Sequence, residues 1–349
     1  MIELQRDSLV ISFPEVHEHC RFEVNFQRTL RIPDDGKDYP LPPGLGRFSI
    51  AHVDDHRERV PEAWLRRGGV MLPMYATEAM WLHFRALTVP GHNAAWPFAL
   101  KVAAGKINAV DGEPWSETLY AKGRGRSQNF LALPRQPWLD GFYAGPGVIR
   151  QFVGMQLGQG YTVEEQLTGQ AEHGGLQLIA YPMKRDEFMR RFPKQEPTAM
   201  RAQSGAAPMP CAPMSISAAP DMGLAPGGRM KQKIYNDPFG IRAWDTQQSS
   251  RCFVHLCNSM VWQSVTGAAP PQPPPTAADY NRAGLPWFDY ESGAPAKKGR
   301  SWLDKVKSVV GLAAEKGQTA LPENESVSPV HVETIVAPSS PDEVRDGTF

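Results

Sequence analysis

The chain has 349 residues, enough for one large or two ordinary domains with sizeable cores. Hydrophobic residues make up 41% of it and charged residues 21%, which is typical of a globular protein and argues against a wholly disordered one. The formal net charge of +0 gives no reason to expect binding to nucleic acid or to an anionic membrane.

The N-terminal sequence "MIELQRDSLVISFPEVHEHC" lacks the basic segment and apolar run of a signal peptide. No window approaches the roughly 18 apolar residues of a membrane-spanning helix. The four cysteines are few and irregularly spaced (Cys20, Cys211, Cys252 and Cys257). We therefore expect a cytoplasmic protein with four reduced thiols.

Extended segments dominate the first half of the predicted structure. Phe22, Val24 and Phe26 alternate with polar residues, the period of a half-buried strand. Residues 60–69 predict a short helix, whereas residues 74–87 fit a helix and a strand equally well. Further strands are predicted on both sides of Ala104-Gly105, over 127–134 and 147–155, and in a hairpin that joins 161–169 to 174–182. A short charged helix follows at 183–192.

The second half begins with an Ala/Pro/Met-rich linker or loop at 196–220. A strand is predicted near 251–257 and a helix near 259–266, ended by Gly267. After the proline-rich stretch "AAPPQPPP", Thr276 and Asp279 form a capping pattern for another short helix. An amphipathic helix is predicted over 301–314, and the last thirty or so residues are expected to be disordered.

These segments predict a β-rich α+β fold: a mainly antiparallel sheet or sandwich, a few short helices and a disordered C-terminal tail. We divide the chain into a β-rich main body at 1–195, the linker at 196–220, an α+β segment at 221–292 that packs on the body, and a C-terminal part at 293–349. The C-terminal part holds the amphipathic helix and the tail.

The stretch "QPWLDGFYAGPGVIRQFVGMQLGQGYTVEEQLTG" (136–169) is rich in glycine and raises the question of a phosphate-binding loop. A dinucleotide fingerprint needs a third glycine where Arg150 stands, and the P-loop pattern is absent from the chain. Glycine at turns and bulges of a sheet is therefore the favoured interpretation. The nucleophile elbow G-x-S-x-G and the zinc motif H-E-x-x-H are absent as well.

Two histidine groups could hold a metal ion. His17 and His19 are two residues apart on a predicted strand and would face the same side. His52 and His56, with Asp54 or Asp55, could share one helical face. Both segments are polar, so simple solvation is the competing interpretation. Cys252 and Cys257 follow no metal-binding spacing and are interpreted as small buried hydrophobic residues.

Two short segments could hold anions. Arg124 and Arg126 belong to the basic turn "KGRGR", and the backbone amides of Gly227 and Gly228 beside Arg229 could form an anion-binding nest. In both cases a solvated loop is the more common alternative.

The predicted helix at 301–314 carries the most specific interaction signal. Its apolar stripe comprises Trp302, Leu303, Val306, Val309 and Val310, and basic residues flank it. A helix of this size is marginal alone in water. The stripe should therefore dock on the body, bind a protein partner or a second copy, or lie on a membrane surface, and the last option is the least favoured.

The phrases "WLDG", "IRQFV" and "GYTVE" make the chain resemble a group of uncharacterised bacterial and fungal proteins. The resemblance covers most of residues 70–290. It implies no activity and no catalytic residue, and it supports treating residues 1–290 as one unit.

We therefore expect a non-catalytic binding or assembly protein without a cofactor, whose partner is a protein. The alternative is a metal-dependent hydrolase or oxygenase that holds a divalent metal through the two histidine groups. The discriminating observation is whether these histidines converge in the folded chain.

Overall fold

The computed structural model describes residues 1–121, 127–194, 221–298, 302–318 and 324–336. The strands up to residue 156 are β1 (Ile2–Gln5), β2 (Ser8–Ser12), β3 (Arg21–Thr29), β4 (Asp38–Tyr39), β5 (Gly44–Arg47), β6 (Ala51–His52), β7 (Val70–Met74), β8 (Ala79–Ala86), β9 (Phe98–Ala104), β10 (Ile107–Asn108), β11 (Leu131–Leu133), β12 (Trp138–Leu139), β13 (Gly141–Gly145) and β14 (Val148–Gln156). The later strands are β15 (Leu176–Pro182), β16 (Asp221–Lys231), β17 (Ser250–Asn258), β18 (Trp287–Glu291) and β19 (Val332–Val336). The α-helices are α1 (Glu62–Arg67), α2 (Val163–Thr168), α3 (Arg185–Arg191), α4 (Ser259–Thr266), α5 (Ala277–Arg282) and α6 (Val309–Glu315).

Strands account for 38% of the residues and helices for 17%, which confirms the predicted β-rich fold. Within the described part of the chain, β1 to β17 form one hydrogen-bonded sheet, and β18 and β19 form a small parallel pair. The main ladder runs β1-β2-β3-β8-β14-β16-β17-β15-β9-β11 with antiparallel neighbours throughout. Two parallel pairings join it from the side, β16 with β4 and β17 with β7.

The two long strands after residue 220 lie inside this ladder. β16 pairs with β14, and β17 pairs with β15, so strands from both predicted segments share one sheet. The division into a body at 1–195 and a segment at 221–292 stays a prediction. The predicted linker at 196–220 lies outside the described residues.

Several local predictions are confirmed. Asn258 caps α4 through its side chain and Gly267 ends it in the left-handed conformation, while Thr276 caps α5 by accepting from the Asp279 amide. The ambiguous segment 74–87 forms β8, whose centre is buried between β3 on one edge and β12 and β14 on the other.

The predicted hairpin of 161–169 with 174–182 is wrong, because 163–168 form the helix α2. Thr162 accepts from the Glu165 amide and the Glu165 side chain accepts from the Thr162 amide, a complete capping box. Gly169 then ends the helix at φ +72°. These caps override the alternation of a strand, and β15 pairs with β9 and β17 instead.

The predicted single helix at 301–314 is also wrong in detail. A 3-10 turn, Trp302–Lys305, is followed by α6, and Ser308 separates them because its side chain caps α6 by accepting from the Gly311 amide. The tail that we expect to be disordered is described only in part, since 332–336 form β19 and 337–349 lie outside the described residues.

A main hydrophobic core draws on nearly every long strand of the sheet. A second, smaller core joins the chain around residues 30–41 to the ends of β14 and β16, to α5 and to the start of β18. Tyr39 and Trp287 lie at its centre, with their ring centroids 6.2 Å apart. This second core fixes the surroundings of the groove described below.

Cys20, Cys252 and Cys257 are buried and unbridged, and Cys211 lies outside the described residues. Among the helices that the structure describes, none combines the length and the apolar character needed to span a membrane.

Candidate functional site

A groove lined by aromatic and proline side chains opens beside the second core, with a volume of about 370 Å³. We call it the aromatic groove, and its lining residues are Leu41, Pro42, Pro43, Gly44, Trp81, Trp138, Asp140, Phe288 and Ile335. Five separate parts of the chain contribute to it. A depression of this size with apolar walls and few polar groups is the usual form of a binding site.

The sheet sets the positions of the two tryptophans. Trp81 lies two residues before His83 on β8, so their side chains share one face of the sheet. Trp138 on β12 is directly opposite His83 in the antiparallel register, which places its side chain on that same face. The alternation of β8 thus brings both indoles to one surface.

The wall at 41–44 is held by backbone contacts. Leu41 and Phe288 exchange two backbone hydrogen bonds of 2.7 and 2.9 Å, which tie this wall to β18. At Gly44 a Cβ atom would lie 3.3 Å from Cζ2 of Trp81. Glycine at this position lets the backbone approach the indole closely.

The aromatic surface continues beyond the groove. Trp138 and Tyr290 meet edge to face with their ring centroids 4.6 Å apart, and Tyr235 follows at 6.5 Å from Tyr290. Between them lies a second, smaller depression that shares Leu41 and Trp138 with the groove. The two depressions and the rings around them form an elongated aromatic row.

Asp140 is the only ionisable side chain among the groove's lining residues. It is 4% exposed, and the Gln232 side-chain amide donates a hydrogen bond to its carboxylate. The Asp140 amide in turn donates to Oε1 of Gln232 at 3.1 Å. Burial raises the pKa of Asp140 to about 7 despite the Gln232 hydrogen bond. The groove therefore offers one carboxyl group that changes charge near neutral pH.

The described lining of the groove contains no serine, cysteine, histidine or lysine that could act as a nucleophile or as a base for one. A single carboxyl group among apolar side chains can accept a hydrogen bond from a ligand and so orient it. The arrangement is suited to binding.

The residues predicted to hold a metal lie in two separate places. His17 and His19 lie in the turn between β2 and β3 rather than on a strand, so that prediction is wrong. The His19 amide donates to Nδ1 of His17 at 3.1 Å, and the His17 ring stacks on Trp96 at 5.1 Å. The chain turns here because Val16 and His17 both donate to the Phe13 carbonyl.

His52 ends β6, and Asp55 and His56 lie in the 3-10 turn that follows. Across the described residues, no group of three or more histidine, cysteine or acidic side chains is arranged to hold a metal ion. The two histidine pairs thus do not converge into one ligand set.

The predicted anion-binding residues lie only partly within the described chain. Arg124 and Arg126 lie outside the described residues. Gly227 and Gly228 lie in β16 at a bulge opposite Gln151, where a Cβ on Gly228 would be 2.3 Å from the Pro33 carbonyl oxygen. Arg229 forms an ion pair with Asp38 at 2.6 Å. The glycines serve close packing of the sheet, as predicted for the glycines of 136–169.

That earlier prediction holds at 136–169. A Cβ on Gly141 would lie 1.9 Å from the Arg150 carbonyl oxygen, and one on Gly154 would lie 2.8 Å from Sδ of Met74. Gly147 has φ +75° between β13 and β14. These glycines permit close strand packing and a tight turn, and no phosphate loop is formed.

Three residues of the predicted partner-binding stripe are buried on the chain's own body, namely Leu303, Val306 and Val309. Leu303 and Val306 belong to the main core, and Val309 packs in a cluster with residues of β14 and β16, among them Val153 and Ala225. Val310 is half-buried. Trp302 lies in the 3-10 turn.

Sequence reasoning missed the groove. Its signals were visible as "QPWLDG" and "LPWFDY", in which aromatic residues lie next to prolines. The pairing of β8 with β12, which brings Trp81 and Trp138 to one face of the sheet, is long-range and has no local signature.

Comparison with models of known protein families, with curated proteins and with solved structures found no match to this chain.

Proposed function

We propose that this is a non-catalytic binding protein whose aromatic groove takes an extended, proline-containing segment of a partner protein. The observation that carries the proposal is the elongated row of half-buried rings around two adjoining depressions, Trp81, Phe288, Trp138 and Tyr290.

Polyproline peptides are recognised by surfaces of this kind. They are extended before binding, they lose little conformational entropy, and their rings fit between aromatic side chains. The groove supplies such rings on the sheet, and Pro42 and Pro43 also line it. The single carboxyl of Asp140 could accept a hydrogen bond from a peptide N–H or a cationic side chain.

The proposed partner site is the aromatic groove and not the segment 301–314. A partner that used the apolar stripe there would have to displace Leu303 and Val306 from the main core. The aromatic groove needs no such rearrangement. The metal-dependent alternative is not favoured, because its histidines lie in two separate places.

The experiment titrates the full chain with decaproline and with a glycine-serine decapeptide as the matched ligand control, by calorimetry and by tryptophan fluorescence. We expect saturable binding of decaproline alone. Trp138→Ala should weaken it about thirtyfold, the effect of removing an aromatic hot spot of roughly 2 kcal/mol. Trp115→Ala removes a half-buried tryptophan outside the groove and should leave binding unchanged.

Circular dichroism of both variants separates lost binding from lost folding. Equal binding of the two peptides, or equal effects of the two tryptophan variants, would contradict the proposed function.

A further inference from the structure

A second cavity of about 340 Å³ shares no lining residue with the aromatic groove. Residues 127–128 form one side of it and residues 295–298 the other, with Asn236 between them. The Asn236 side-chain amide donates to the Ala296 carbonyl at 3.1 Å, and Nζ of Lys297 donates to the Gln128 carbonyl at 3.1 Å, so residues 295–298 are tied to both other parts of the lining. The cavity is thus a built feature of the fold.

A buried lysine lines this cavity. Lys297 is 4% exposed, and its backbone amide donates to the Ile234 carbonyl at 2.6 Å. Its Nζ donates to the Gln128 carbonyl at 3.1 Å and lies 5.2 Å from the centre of the Tyr143 ring. An ammonium group has three donors, and within the described residues Gln128 provides its only hydrogen-bond acceptor.

Lys101 shows what a fully structural buried lysine looks like in this chain. It is completely buried, and its ammonium donates to the carbonyls of Ser116 and Thr118. It does not line the cavity. By contrast, Lys297 has N–H donors that no described protein group accepts. A buried ammonium group is stable only when hydrogen-bond acceptors or opposite charges surround it.

The charges around the cavity favour an anion. Its described lining holds Lys297 and the exposed Lys298 but no aspartate or glutamate, and Ser127, Gln128 and Asn236 add neutral polar groups. The buried carboxyl of Asp111 attracts Lys297 from outside this lining. Burial lowers the pKa of Lys297 to about 8 despite that attraction, so the ammonium form prevails at neutral pH.

We propose that this cavity binds the phosphate group of a small phosphorylated molecule, with Lys297 as the buried cationic contact and Lys298 at the rim. The volume exceeds what a phosphate group fills and lies within the range of small-molecule sites. The ligand's remaining part would occupy the space along Pro295 and Ala296. This site is independent of the proposed peptide groove.

The test titrates the full chain with inorganic phosphate and with sulfate at constant ionic strength in chloride, followed by calorimetry and thermal shift. We expect saturable binding of both dianions. Lys297→Met, which replaces the ammonium-bearing side chain by an unbranched apolar one that is one atom shorter, should weaken binding about tenfold to a hundredfold, the usual effect of losing a charge-assisted hydrogen bond. Lys298→Gln should weaken it less, and the exposed Lys184 provides the control variant Lys184→Gln, with no change.

Sulfate remains a dianion from pH 6 to 10, so a loss of sulfate binding above about pH 8 reports the protein's own lysine. The charges of Asp111 and Lys298 also influence the pKa of Lys297. Lys297→Met should abolish the pH dependence of sulfate binding. If Lys297→Met fails to fold, the effect of the exposed Lys298→Gln variant on sulfate affinity still tests the site. Absence of saturable binding, or binding that neither lysine variant weakens, would overturn the proposal.

Discussion

Two valines of the C-terminal stripe, Val306 and Val310, should differ sharply in their contribution to stability. They are identical side chains four residues apart, and the sequence assigns both to one apolar face. In the structure Val306 is 3% exposed and belongs to the main core, whereas Val310 is half-buried at the start of α6. Changing each to alanine removes the same two methyl groups from different surroundings.

The expected magnitudes follow from burial. Two buried methyl groups are worth roughly 1.6 kcal/mol of transfer free energy, at about 0.8 kcal/mol each. A residual cavity beneath Val306 raises the total to about 2–3 kcal/mol. Val310 has part of its side chain in water already, so Val310→Ala should cost less than about 1 kcal/mol. Both estimates are free energies of unfolding.

Urea unfolding of the two variants and the parent, followed by circular dichroism, measures these differences. Hydrogen exchange over 302–318 shows whether the segment detaches before the sheet unfolds. We expect Val306→Ala to lower the midpoint clearly and Val310→Ala to lower it little. Equal losses, or a larger loss at Val310, would show that the segment does not dock as described.

Two further predictions concern the sheet. Gly141→Ala should destabilise the fold by about 3 kcal/mol, because the new Cβ would lie 1.9 Å from the Arg150 carbonyl oxygen. Gly145→Ala on the same strand is the control, since a Cβ there has free space and should change stability little. Thermal unfolding compares the two variants, and equal losses of stability would contradict the close packing at Gly141. Burial raises the folded-state pKa of Asp140 from 3.8 to about 7, so the folded state binds more protons than the unfolded state between pH 4 and 7. As the pH rises through that window, this group should lower the free energy of unfolding by up to roughly 4 kcal/mol. Asp140→Asn should remove this loss in urea unfolding at pH 4 and 8, and an unchanged difference between the two pH values would refute it.

Local chemistry made several elements predictable. Helix α4 follows from Asn258 and Gly267, and α5 from Thr276 with Asp279, because caps act within a few residues. The same knowledge applied to Thr162 and Glu165 would have identified α2. The hairpin prediction failed because the apolar alternation of a short segment was weighed above its caps.

The aromatic groove depends on contacts that no local pattern contains. Trp81 and Trp138 meet through the register of β8 with β12, and Phe288 reaches them through its bridge to Leu41. Each pairing spans 50 or more residues of sequence. Composition could therefore predict a sheet with exposed aromatic residues, but only the strand register assembles them into one surface.

The surface that buries the C-terminal stripe could not be predicted from the sequence either. An apolar face at helical spacing requires that something bury it, and the sequence cannot say what. The receiving surface for Val309 is formed by Val153 and Ala225, on strands that precede it by more than 80 residues. Since this chain supplies that surface itself, Leu303, Val306 and Val309 are already buried by intramolecular packing. A partner that binds without displacing these residues must use another surface, and the aromatic row around Trp138 is the one that we propose.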